Sequence, residues 1–254
     1  MIPWTVLDRV ATPEGELQLR QRGAREFLIT IAGRVLMTSS ERTSEEALAR
    51  LACEPLARRK APAVLIGGLG MAYTVRAALD ALPATASVTI AELTPQVLTW
   101  CRGPLAPLTA GAVLDRRVRA VISDVADVIA RARPGQYHAI ILDLYEGPHA
   151  AAQRPHDPLY GREALARAHA ALAPGGVLTV WTEESNLAFK RRMLETGFAT
   201  RVQHPGGSRA YAVYVGQKAE AEGPAKAGAG RRPTSQGAGP RRQGSPPRTS
   251  RARR

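Results

Sequence analysis

From Ala63 onward the chain alternates short apolar runs with helix-like intervals. The runs span 63–66, 87–91, 118–122, 137–142 and 176–182 and are rich in Val, Ile, Leu or Ala, the composition of strands buried on both faces of a sheet. Four of the intervals read as helices, the first from Met71 to Leu82, so the pattern predicts a largely parallel α/β sheet. Pro174-Gly175-Gly176 reads as the turn into the fifth strand. A helix from about Asn186 to Thr196 then leads to strands from Ala199 to His204 and Ala210 to Val215. Gly206-Gly207-Ser208 joins them as a hairpin, so the sheet should end in an antiparallel pair.

Before Ala63 the period changes. Trp4 to Val10, Leu17 to Gln21, Glu26 to Ile31 and Arg34 to Met37 mix β-branched and polar residues between Pro13-Glu14-Gly15, Gly23 and Ala32-Gly33, which predicts a small antiparallel sheet. Ser44 is placed to cap a helix that carries Glu45 and Glu46 in its first turn and runs to about Arg58. The expected organisation is a small N-terminal β domain over 1–40, a Rossmann-like nucleoside-binding core over 41–216, and a tail over 217–254.

Charge changes little in this picture. The tail holds eight Arg and two Lys against two Glu, a net +8 of the chain's +13, so the basicity is mostly outside the core. Its Gly, Pro, Ser, Ala and Arg composition buries too little apolar surface to offset ordering, and it is expected to be disordered, with weak contact to polyanions as an optional role. Cys53 and Cys101 form no CxxC pair and read as buried apolar side chains. No apolar run approaches the ~18 residues of a membrane span, and the N-terminus lacks a basic stretch followed by an apolar core. The expectation is a soluble, cytoplasmic protein with no membrane partner.

The candidate chemistry lies at the ends of the core strands. Gly67-Gly68-Leu69-Gly70 follows the first strand and opens a helix, where glycine permits unusual dihedrals and close backbone approach. Glu92 ends the second strand, about 20 positions on, where an acid can accept from both ribose hydroxyls. Asp124 follows the third strand. It reads as an N-cap and, in a nucleoside site, as an acceptor for an exocyclic amine. Asp143 ends the fourth strand, and Glu146 stands three positions further in a loop closed by Gly147-Pro148. Two carboxylates at this edge can hold a cationic amine and take its proton.

These residues carry a family resemblance. From about Gly33 to Gly216 the chain resembles the spermidine and spermine synthases, the polyamine aminopropyltransferases, which have a small N-terminal β domain and a methyltransferase-like Rossmann core. Their Gly-rich turn looks like Gly67-Gly68-Leu69-Gly70, and their ribose-binding and base-binding acids look like Glu92 and Asp124. Their Asp-x-x-Asp-Pro loop resembles Asp143-Leu144-Tyr145-Glu146-Gly147-Pro148 in shortened form. By this resemblance Gly67, Gly68, Gly70, Glu92, Asp124 and Val125 would bind the adenosyl donor, Asp143 would accept the proton of the attacking amine, and Tyr145 and Glu146 would help to bind the amine. Where the family carries Tyr-His-Glu before the core, this chain carries Ser44-Glu45-Glu46.

The resemblance implies aminopropyl transfer from decarboxylated S-adenosylmethionine to an amine such as putrescine, with a homodimer among the open assemblies. That chemistry uses no metal. His138, His149, His156, His169 and His204 show no HxH or HxxxH spacing. Two alternatives stay open at this point: an S-adenosylmethionine-dependent methyltransferase with the same nucleoside contacts, and a non-catalytic nucleoside-binding protein. An NAD dehydrogenase is disfavoured because no second catalytic domain remains.

Overall fold

A computed structural model of the chain describes residues 2–145, 147–148, 156–207 and 211–221. Glu146, His149, Ser208 and the tail from Glu222 lie outside the described residues.

Four strands, β1 (Thr5–Thr12), β2 (Gly15–Arg22), β3 (Glu26–Ile31) and β4 (Arg34–Thr38), pair antiparallel in chain order. Ala32 and Gly33 connect β3 to β4 with φ of 46° and 79°. Positive φ at both central residues is the hairpin geometry whose twist matches that of the strands it joins. Helix α1 (Thr43–Cys53) then leads to the core.

The core alternates β5 (Ala63–Gly67), α2 (Tyr73–Ala81), β6 (Ser87–Glu92), α3 (Pro95–Arg102), β7 (Val118–Ile122), α4 (Val125–Ala130), β8 (Tyr137–Leu142), α5 (Arg162–Ala171), β9 (Leu172–Thr182), α6 (Leu187–Glu195), β10 (Ala199–Gln203) and β11 (Ala212–Gln217). The seven strands form one sheet in the order β10-β11-β9-β8-β5-β6-β7. The run from β9 to β7 is parallel, and β11 is antiparallel to both of its neighbours.

The strand period of two divides the core into two layers. Val64, Ile66, Ala139 and Ile141 face a cluster built with Leu48 of α1, Val75 and Leu79 of α2, and Trp100 of α3. Leu65, Ile140 and Leu142 face Ile129 of α4, Leu165 of α5, and Phe189 and Met193 of α6. Helices therefore cover both sides, as the apolar runs required. The small sheet is fastened to the core at Asp8, which accepts from Trp100 Nε1 at 2.8 Å and from the Gln96 side chain.

Four expectations need correction. Ser44 does not cap α1; it lies inside the first turn and donates to Glu45, while the capping position is Arg42 with no side-chain cap. The fifth core strand starts earlier than 176, because Leu172 already pairs with Tyr137, and Pro174-Gly175-Gly176 forms an irregularity before Val177 pairs with Ala139. The first helix, expected to run to about Arg58, ends at Cys53; the closing antiparallel pair stands as expected, with β11 between β9 and β10. Gln217, expected as the first tail residue, pairs with Val177, and the Lys218 ammonium donates to the carbonyls of His169 and Leu172. Cys53 and Cys101 are buried and unpaired, and desolvation pushes both thiols up to about 12. No described helix is long and apolar enough to cross a membrane.

Candidate active site

Strand order locates the crevice. From β5 the chain proceeds through β6 to β7 on one side, and β8 and β9 lie on the other. The carboxyl ends of β5 and β8 therefore flank the point where winding reverses, which is where an open parallel sheet leaves room for a ligand. The Gly67–Gly70 turn leaves one of these ends and Asp143 the other.

The two are built as one unit. Asp143 N donates to Gly67 O at 2.9 Å, and Gly68 N donates to Ala91 O at 2.9 Å. Gly68 has φ of +87°, and a Cβ there would stand 2.2 Å from Asp143 O. No other residue type fits that position. A Cβ at Gly67 would meet Val125 Cγ2 at 2.7 Å, so Val125, expected to touch the donor, packs directly on the turn. Ala72 begins α2 in the left-handed region with φ of 65°, an uncommon conformation for a residue with a Cβ.

Glu92, 8% exposed, ties this turn to the end of β6. Its Oε2 accepts from Leu69 N at 3.0 Å and its Oε1 from Thr94 N at 2.8 Å. Burial pushes its pKa up against the pull of those bonds. The carboxylate has about four acceptor directions, and the amides of Thr94, Leu69 and Leu93 all act on it. Beside it, Leu93 is 66% exposed and Ile122, the register partner of Glu92, is 45% exposed. Exposed aliphatic side chains at this edge offer faces to a flat base, a role the sequence reading did not assign. Asp124 caps α4 by accepting from Ala126 N at 2.8 Å. It is exposed, so its other oxygen remains available to an amine.

Asp143 has a different environment. The residue keeps some accessible surface, but its carboxyl group is desolvated. That desolvation, reinforced by the negative charge of Glu45, raises its pKa to about 7 against the lowering effect of a hydrogen bond from the Thr74 hydroxyl. Glu45 is 8% exposed, and burial raises its pKa as well. The charge of Glu45 opposes ionisation of Asp143, so the two acids resist being charged together. Thr74 and Glu45 were both missed as site residues. Glu45 left a signal, because Glu45, Leu48, Ala49 and Ala52 share the spacing of one helix face and all four are buried.

The strand β4 and Ser39 after it border the same crevice. The Arg34 guanidinium lies 5.4 Å from the centre of the Tyr145 ring. Met37 Sδ accepts from Met71 N at 3.3 Å, and Tyr73 OH donates to Ser39 O at 3.0 Å. Beyond Tyr145, Gly147 is held tightly against the end of β9, since a Cβ there would lie 2.8 Å from Trp181 O. Among the described residues no three His, Cys, Asp or Glu side chains converge as a metal site.

No protein-family model matches the sequence, and no curated protein matches it. Solved structures do match. Spermidine synthase from Thermotoga maritima superposes with a TM-score of 0.66 at 20% identity, over 84% of this chain and 72% of that one. A spermidine synthase in complex with the transition-state analogue AdoDATO gives 0.65 at 19% identity, with the same coverages of 84% and 72%. A probable spermidine synthase from Corynebacterium glutamicum gives 0.58 at 18% identity, over 84% of this chain and 79% of that one. The fold is therefore spermidine synthase-like: a methyltransferase-like Rossmann core with a small N-terminal β domain and antiparallel C-terminal strands.

Proposed function

We propose that this chain is an aminopropyltransferase that moves an aminopropyl group from decarboxylated S-adenosylmethionine to a small amine such as putrescine. The observation that carries the reading is Asp143, a carboxylate at the winding reversal of the sheet whose pKa is raised to about 7. A general base works best when its pKa lies near the working pH. In the proposed reaction the acceptor amine forms a C–N bond to the donor's propyl carbon, the C–S bond breaks, and sulfur leaves as the neutral thioether of methylthioadenosine. The proton released from nitrogen goes to the Asp143 carboxylate. The sulfonium is already a good leaving group, so the remaining work is to hold the amine in line and exclude water.

The donor-binding residues follow from their places around the turn. Glu92 accepts the ribose hydroxyls, Asp124 the exocyclic amine of the base, and the backbone of Gly67, Gly68 and Gly70 lets the nucleoside approach. Glu45 and Asp143 give the crevice a negative floor suited to a sulfonium and to amines. The AdoDATO complex of a structural neighbour supports this class of ligand.

The test is turnover with diamine acceptors and each adenosyl donor in one preparation. Asp143→Asn should lower the rate roughly 10²–10⁴-fold, the usual cost of losing a general base, and leave methylthioadenosine binding intact. Transfer of methyl groups alone by the wild type would assign the chain to the methyltransferases. Wild-type rates in Asp143→Asn would remove the proposed base.

A further inference from the structure

The contact between β4 and the glycine turn bears on which donor the crevice accepts. Met37, partly exposed near the end of β4, places its Sδ on the Met71 amide at 3.3 Å, and the same sulfur would be 3.0 Å from a Cβ at Gly70, with Cε at 3.3 Å. The thioether thus covers Gly70 and Met71. A thioether is a weak acceptor, so this contact spends a backbone donor of the turn on a group that gains little from it.

A nucleoside with its ribose on Glu92 and its sulfur at Asp143 would lie over the turn that both residues contact, and Met37 of β4 stands on that same turn. An amino-acid arm ends there in a carboxylate, which needs hydrogen-bond donors to replace its water. The Met71 amide is already taken and shielded by Met37. The acids that border this part of the crevice, Asp143 and Glu45, repel a second anion. Of the cations around this part of the crevice, Arg34 is engaged on the face of Tyr145 and Arg42 pairs with Glu46. An arm that ends only in an amine meets no such difficulty.

We propose that Met37 is a donor-specificity residue, whose thioether occupies the turn amide that a donor carboxylate would use and thereby favours the decarboxylated donor. The inference rests on the transferase reading above and assigns its donor selectivity to one side chain. Met37 touches the nucleoside's neighbourhood and none of the reacting atoms, so its effect should appear in donor affinity rather than in the chemical step.

The experiment is calorimetric titration of the full chain and of Met37→Ala with methylthioadenosine, S-adenosylmethionine and decarboxylated S-adenosylmethionine. Methylthioadenosine has no amino-acid arm, so its affinity should stay within about twofold. Freeing an amide for a carboxylate makes a charge-assisted hydrogen bond, so S-adenosylmethionine should gain about tenfold and the preference for the decarboxylated donor should shrink by that factor. Should Met37→Ala lose methylthioadenosine binding through displacement of the small sheet, Met37→Val carries the test, since it keeps a strand-favouring apolar side chain and removes the long arm and sulfur that cover the amide. An unchanged donor ratio in a variant that still binds methylthioadenosine overturns the role of Met37. A wild type that binds the two donors equally overturns it too. A wild type that binds none of the three ligands overturns the transferase reading itself.

Discussion

Replacing Asp143 with Asn should make the protein more stable at pH 8, and by only about a third as much at pH 5, which lies near the start of the window between the two pKa values. The carboxyl pKa is 3.8 in an ordinary setting and about 7 in the folded chain. Between those values the folded state holds a proton that the unfolded state has released, so stability falls as pH rises through this window and stays low above it. The shift of roughly three pKa units corresponds to about 4 kcal/mol, at 1.36 kcal/mol per unit. That figure is an upper bound, because relaxation and water penetration on unfavourable ionisation reduce it. Even half of it would move the melting temperature by roughly 4–8 °C in a domain of this size. Asn keeps an oxygen that can accept from Thr74 and never ionises. Thermal or urea unfolding of both proteins at pH 5 and pH 8.5 measures the effect directly. A wild-type-to-variant difference that is the same at both pH values would refute the desolvated carboxylate, whatever reaction the site performs.

Three further outcomes follow from the same geometry. Glu45→Gln removes the charge that opposes Asp143 ionisation, so the Asp143-dependent stability loss should end at lower pH and be smaller in total; an upper end that does not move would detach Glu45 from the site. Gly68→Ala forces a Cβ to within 2.2 Å of Asp143 O at a φ of +87°, and it should cost more than the roughly 1 kcal/mol typical of point substitutions, measured as a lower urea midpoint; wild-type stability would mean the turn is not held as described. Glu92→Ala should weaken methylthioadenosine binding at least about tenfold, since charge-assisted bonds contribute about 1.5–3 kcal/mol each; titration at wild-type affinity would move the ribose elsewhere.

Much of this protein was legible in its order of residues because the signals are local. The apolar runs at 63–66, 87–91 and 137–142 are strands since their residues face apolar layers on both sides, and a period of two along Val64, Leu65 and Ile66 already serves two layers; the run at 118–122 forms the partly exposed edge strand. Gly67-Gly68-Leu69-Gly70 announced a turn that only glycine can make, and Asp124 announced a cap, since both depend on neighbours a few residues away. Pairing order is different. The apolar run Ala212–Val215 against the polar Thr200, Arg201 and Gln203 is a cue that the later strand is the inner one, but its place beside β9 is settled by packing, as Tyr214 and Val215 bury their side chains in opposite core layers. Glu45 shows the same divide within one residue. Its spacing with Leu48 and Ala52 put it on the buried face of α1, but only the packing of that helix beside β8 brought its charge to Asp143. Glu46, one position on, reaches Arg42 and Arg50 on the surface. A sequence places a carboxylate at a strand end; its pKa near 7 comes from desolvation and from a second acid almost a hundred residues earlier in the chain, and those contacts exist only once the chain has folded.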